Sequence, residues 1–203
     1  MSIRLLTLFP GLLLLATGAA AQAGDPRGTV CAFPDISALT PVTLSPGAST
    51  PAGTGGDIPG GRWELVQVKY DTEPDVGEVV GQARGALELV ASSSVAGQGS
   101  MALQVTITEP ENQQIDETGA GPYSATGNML DFQNDCGDAL TLGQVEYTVD
   151  TSGDDPVMTL WGSSDIQITD PFPIVITVFL EVDFLLVEPP DGGDAVFQDR
   201  FEG

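Results

Sequence analysis

The side chains that could do chemistry in this chain are carboxylates, serines and two cysteines, because the sequence contains no histidine. Histidine is the commonest general base near neutral pH, so serines such as Ser92 and Ser163 have no evident activating partner. No Gly-x-Ser-x-Gly segment is present. Paired carboxylates could hydrolyse glycosides, but among 29 acidic residues close pairs arise by chance. The sequence therefore predicts a protein that is not an enzyme and has no catalytic residues.

Acidic turns are the other candidates for chemistry, since calcium prefers oxygen ligands. Asp150, Ser152 and Asp154 offer oxygens at alternate positions, like the start of a calcium loop. The glycine and the closing glutamate of such a loop are missing, and Asp is common at turns for conformational reasons. We therefore predict no metal site and no cofactor.

The N-terminal segment has the three parts of a secretory signal. Arg4 precedes an apolar stretch from residue 5 to residue 16, and small residues from 18 to 21 fit a cleavage site. Residues 1–23 are predicted to be a signal peptide, which places the protein in the periplasm or outside the cell. In such a compartment, Cys31 and Cys136 are predicted to form a disulfide.

The charge balance limits the classes of partner. The chain has 29 acidic and six basic residues, for a net charge of −23. Nucleic acids and anionic lipids need Lys and Arg to neutralise phosphates, so neither is expected to bind. We also expect no integral membrane association after signal cleavage, and the sequence does not identify protein partners.

Three segments of different composition follow the signal. Residues 24–60 are rich in Pro, Gly and Ser and are predicted to be an N-terminal arm without regular structure. Residues 61–188 alternate between apolar and polar positions, as half-buried strands do. Residues 189–203 form a linker and a C-terminal tail, similar to short Phe-x-Asp-Gly-Phe-Glu tails on exported bacterial proteins.

The alternating segment predicts about eight strands and no substantial helix. In the run that starts at Met101, the side chains of Met101, Leu103, Val105 and Ile107 share one face. The strands are expected at about 62–70, 83–91, 100–109, 121–126, 128–133, 140–150, 156–162 and 174–188. This pattern predicts an all-β domain, either one antiparallel eight-stranded up-and-down barrel or a β-sandwich.

Two motifs in this segment resemble the lipocalins. Gly61-Arg62-Trp63 has the Gly-x-Trp pattern that opens the first lipocalin strand, and the run from Tyr123 to Phe132 is similar to a hairpin of bacterial lipocalin-like domains. The strand at Val145–Val149 falls where such domains place another. The resemblance covers about residues 61–188 and implies an eight-stranded calycin barrel.

Two functions remain open. A lipocalin-like module would hold a small apolar ligand inside the barrel, with tyrosine hydroxyls as orienting groups. The residues predicted to line that site are Trp63, Leu103, Val105, Tyr123, Phe132, Tyr147 and Phe184. The alternative is a non-enzymatic structural or surface-associated protein whose core is filled by its own side chains.

Overall fold

The computed structural model describes residues 31–75, 77–109, 112–137, 144–168 and 174–188. All regular structure in these ranges is β-strand, which confirms the all-β prediction. The predicted signal peptide 1–23 and the predicted tail 189–203 lie outside them. Within the described residues, no helix has the length and apolar character needed to cross a membrane.

The described residues form nine strands, one more than predicted. They are β1 (Val42–Pro46), β2 (Gly61–Glu73), β3 (Val80–Ser93), β4 (Ala96–Glu109), β5 (Gln113–Thr126), β6 (Met129–Phe132), β7 (Gln144–Asp150), β8 (Val157–Ile168) and β9 (Ile174–Glu188). Each predicted strand has a counterpart in β2 to β9. The prediction of eight strands was wrong because β1 lies in the arm, where its short apolar pattern is surrounded by Pro and Gly.

The strands form one sheet that closes in a ring. Consecutive strands from β2 to β9 pair antiparallel, and β2 pairs with β9 from Arg62 to Glu73 to close the circle. A sandwich would need two packed sheets, whereas all nine strands here belong to a single sheet. Every strand of the ring therefore has two neighbours, which leaves no long unpaired edge along β2 or β9.

Strand β1 fills a gap between β2 and β3. These two strands pair directly only where Gly61–Glu64 faces Ala86–Leu89. Beyond that point β1 lies between them, parallel to β2 through Leu44 and Val68 and antiparallel to β3 through Val42 and Ala83. Val42 and Leu44 pack against the core. The arm thus supplies the strand that completes one end of the ring.

The core lies inside the ring and comes from the inward parity of the strands. The largest fully buried side chains on its strands are Trp63, Tyr147 and Met158, with at most 1% of their surface exposed. Burial of a large apolar side chain stabilises a fold by about 1.5–3 kcal/mol, so this cluster supplies much of the driving force. The alternation in the sequence therefore predicted correctly which side chains of the strands point into the ring.

The first half of the arm, residues 31–41, lies across the outer face of β2 to β5. Cys31 and Cys136 form the predicted disulfide, with their Cα atoms 6.3 Å apart. Ala86 and Ala102 point outwards because their neighbours Leu87 and Met101 point into the core. Even so, both are at most 5% exposed. Alanine side chains on the outer face of a sheet are too small to be shielded from water by their own strand. We therefore infer that the arm covers Ala86 and Ala102.

The second half of the arm, residues 47–60, continues around the ring. Gly55 exchanges backbone hydrogen bonds with β7, and the amide of Ile58 donates to the Ser94 carbonyl at the β3–β4 turn. The Ile58 side chain is 1% exposed and belongs to the core. The arm is therefore bound along its described length, although its composition resembles that of a linker.

The disulfide gives the first prediction. Because it closes a loop with a sequence separation of 105 residues, the chain-entropy model assigns it about 4–5 kcal/mol of stability, before native strain is subtracted. Cys31→Ser together with Cys136→Ser should lower the free energy of unfolding by about 2–5 kcal/mol and the melting temperature by several degrees. Thermal and urea denaturation measure both. A double variant that melts at the wild-type temperature would contradict a stabilising role.

Candidate functional site

The interior of the ring is the first candidate site because lipocalin-like proteins would hold a ligand there. It contains a cavity of about 30 Å³, lined only by apolar or aromatic side chains that include Ile58, Leu89, Met101, Phe132 and Met158. A cavity needs roughly 10–15 Å³ to hold one water molecule, whereas drug-sized ligands occupy about 300–1,000 Å³. The interior is therefore filled mainly by the protein's own side chains.

Five of the seven predicted lining residues do not border this cavity. Trp63, Tyr147 and Phe184 are buried within the core, and Leu103 and Val105 are partly buried against it. Trp63 and Tyr147 also hold the arm. The Trp63 indole donates from Nε1 to the Pro59 carbonyl at 3.2 Å, and the Tyr147 hydroxyl donates to the Gly56 carbonyl at 2.8 Å.

Tyr123 and Phe132 are the two predicted residues that do border the cavity. The Tyr123 side chain is 3% exposed, and its hydroxyl has no hydrogen-bond partner among the described residues. Burial raises the pKa of Tyr123 to about 12, because the phenolate form would lose its hydration. This unpaired hydroxyl is the only buried side-chain polar atom without a partner in the described part of the chain.

Eight residues that border the cavity were not among the predicted lining residues: Ile58, Leu87, Leu89, Met101, Leu130, Val145, Met158 and Leu160. Ile58 lies in the arm, where no periodic pattern marks it as buried. Met101 and Met158 belong to alternating strands, so their inward parity could have identified them. The prediction favoured aromatic residues as ligand contacts, while flexible methionines also fill this space.

Cations on the outer face hold the arm in place. The Arg62 guanidinium pairs with Glu64 and Glu88 at 2.9 and 3.1 Å and also donates to the Asp35 carbonyl at 2.9 Å. The Arg84 guanidinium donates to the Ser37 carbonyl at 3.0 Å. The described ranges contain three basic residues, and these two both bind backbone oxygens of the arm.

The third cation acts through a carboxylate. Lys69 pairs with Glu181 at 2.6 Å across β2 and β9, and Glu181 accepts hydrogen bonds from the amide and the hydroxyl of Ser49 in the arm. The Trp161 indole donates to that hydroxyl at 3.1 Å. Glu181 of β9 and Trp161 of β8 thus both hold Ser49, which ties the arm to these two strands.

Glu181 is only 7% exposed although it points away from the core. Burial alone would raise its pKa, but the hydrogen bonds from Lys69 and Ser49 favour the carboxylate more strongly. The net result lowers the pKa of Glu181 from 4.5 to about 2. The charged form is therefore the one that holds the arm.

Comparisons with protein-family models, curated proteins and solved structures found no match for this chain. The class that its structure defines is an all-β protein with one nine-stranded sheet closed in a ring and tied by one disulfide. Across the described residues, no cluster of three or more His, Cys, Asp or Glu side chains could hold a metal ion.

The lowered pKa of Glu181 predicts a pH-dependent contribution to stability. A group with a depressed native pKa stabilises the fold above its unfolded pKa, here 4.5, and loses that contribution as the pH falls towards about 2. With solvent screening at Lys69, the contribution at pH 7 should be about 2–3 kcal/mol. Glu181→Gln should therefore lower the urea midpoint clearly at pH 7 and much less at pH 3.

Glu109→Gln is the matched control for this measurement, since Glu109 is exposed at the end of β4. Its urea midpoint should follow that of the wild type at both pH values. An equal loss of stability in Glu181→Gln at pH 7 and pH 3 would show that the charge of Glu181 does not hold the arm.

The two buried tyrosines give a paired prediction. Tyr147→Phe removes the hydrogen bond from the Tyr147 hydroxyl to the Gly56 carbonyl, which should cost about 1 kcal/mol. Tyr123→Phe removes a hydroxyl that has no described partner, so stability should change by less than about 0.5 kcal/mol or increase. Urea denaturation of both variants tests this. A Tyr123→Phe variant as unstable as Tyr147→Phe would mean that the Tyr123 hydroxyl is bonded in solution.

Proposed function

We propose that this chain is an exported, non-enzymatic protein with a lipocalin-like barrel whose core is filled and whose binding takes place on its outer surface. The observation that carries this proposal is the interior cavity of about 30 Å³. Such a space admits one or two water-sized molecules and excludes a fatty acid or a retinoid. Any macromolecular or larger ligand must therefore bind outside the ring.

Two features support the lipocalin-like part of the proposal. The Gly61-Arg62-Trp63 motif opens β2, and strands β2 to β9 follow one another around the ring in up-and-down order. Strand β1 is an addition to that arrangement and comes from the arm. The disulfide between Cys31 and Cys136 favours an oxidising location, either the periplasm or the exterior of the cell.

A second candidate function is binding of a small, mostly apolar ligand inside the barrel. The unpaired Tyr123 hydroxyl favours it, because a ligand with one acceptor atom would satisfy a buried donor. Met101 and Met158 border the cavity and can adopt several rotamers. This function requires those side chains to move, since the cavity is too small for such a ligand as it stands.

Ligand retention separates the two candidates. We expect native mass spectrometry of the full mature chain, purified without detergent, to show no retained ligand. We also expect no saturable binding of a fluorescent fatty acid or of retinol at tens of micromolar. Met158→Ala is the matched positive control, because a larger apolar cavity can take up benzene, which the wild type should not bind.

Wild-type protein that retains an apolar mass, or that binds retinol with a loss of affinity in Tyr123→Phe, would overturn the filled-core proposal. That result would establish the second candidate in its place. Wild-type protein that binds benzene as well as Met158→Ala does would also contradict a filled core.

A further inference from the structure

The outer face contains a polar groove beside the point where the arm enters the sheet. The groove has a volume of about 220 Å³ and lies between Pro41 of the arm and residues of β3 and β4. Its lining consists of Pro41, Gln82, Ala83, Arg84, Gln104 and Thr106. It is several times larger than the interior cavity and somewhat smaller than the sites that take drug-sized ligands.

A chain of hydrogen bonds fixes the polar groups at the base of the groove. Arg84 Nε donates to Gln104 Oε1 at 2.9 Å, and Gln104 Nε2 donates to Asp116 Oδ1 at 2.7 Å. Gln114 donates to the other oxygen of Asp116 at 2.7 Å, and Ser37 of the arm accepts from Arg84. The Arg84 guanidinium is held from both sides, so a ligand would not bear the entropic cost of ordering it.

Three polar groups of the groove remain available to a ligand. Arg84 Nη2, the Gln82 amide and the Thr106 hydroxyl make no side-chain hydrogen bond to the described residues. Arg84 Nη2 is a hydrogen-bond donor, the Gln82 amide has one donor and one acceptor atom, and the Thr106 hydroxyl can donate or accept. Adjacent hydroxyl groups on a ligand are the partners that match this mixed set.

The charges around the groove select against anions. Arg84 bonds neutral oxygens, whereas Arg62 and Lys69 each pair with a carboxylate. Asp35 and Asp116 both lie within the electrostatic reach of Arg84. An anionic ligand would therefore gain one guanidinium but face two carboxylates on a chain of net charge −23. A neutral ligand does not meet this repulsion.

We propose that this groove binds a neutral carbohydrate unit, with adjacent sugar hydroxyls on Arg84, Gln82 and Thr106 and the ring edge against Pro41. The proposal rests on the proposed function in that it names a ligand class for the outer surface. It requires no movement of the ring, because the groove is open and its base is already fixed.

The test is a titration of isotope-labelled, full-length mature protein followed by NMR, with glucose, galactose, N-acetylglucosamine and their short oligomers as probes. At least one probe should produce saturable shifts at groove residues. The double variant Gln82→Ala/Thr106→Val should weaken that binding about tenfold or more, since it removes two hydrogen bonds, while its melting temperature stays close to that of the wild type.

Gln98→Ala/Thr126→Val is the matched control, because both residues are exposed elsewhere on the sheet. It should bind the same probe with wild-type affinity. Arg84→Ala should abolish binding but can also loosen the arm, so the double variant decides the question.

Three outcomes would overturn the inference. These are no saturable shift with any of the probes, sugar binding that survives in the double variant, and stronger binding of acetate or phosphate than of any sugar at the groove. None of them bears on the filled core, which fails only if an apolar ligand is retained inside the ring. The two proposals can therefore fail independently.

Discussion

The structure depends on the insertion of β1 between β2 and β3. These strands pair at one end of the ring and are separated at the other, where β1 supplies both sets of backbone partners. Unpaired backbone groups are costly where water cannot reach them, so the pairing with β1 stabilises this end of the ring. The disulfide, the outer cations and Ile58 all act to keep the arm in that position.

This constraint explains how a strongly acidic chain uses its few cations. Arg62, Lys69 and Arg84 are the basic residues of the described part, and each takes part in a network that holds the arm. The repulsion among 29 acidic residues favours expansion of the chain. Charge-assisted hydrogen bonds to backbone oxygens and to Glu181 oppose that expansion where the arm lies against the sheet.

The small interior cavity and the arm on the outer face limit the surfaces that a ligand could reach. Inside the ring, side chains from the strands and Ile58 of the arm occupy the space that a ligand would need. Outside, the arm covers the small residues Ala86 and Ala102 and forms one wall of the groove at Arg84. The arm thus reduces the interior cavity through Ile58 and forms one wall of the outer groove through Pro41.

The sequence by itself determined the all-β class, the approximate positions of β2 to β9 and the disulfide, because alternating burial and a single cysteine pair are local or countable signals. It also identified most of the inner wall, including Trp63 and Tyr147. Only the tertiary structure decided that the arm contributes β1 and Ile58, that the interior is filled, and that Arg84 lies in a groove with Gln104 and Thr106. Those features depend on contacts between residues distant in the chain, and a Pro- and Gly-rich segment carries no periodic pattern that reveals which surface will bind it.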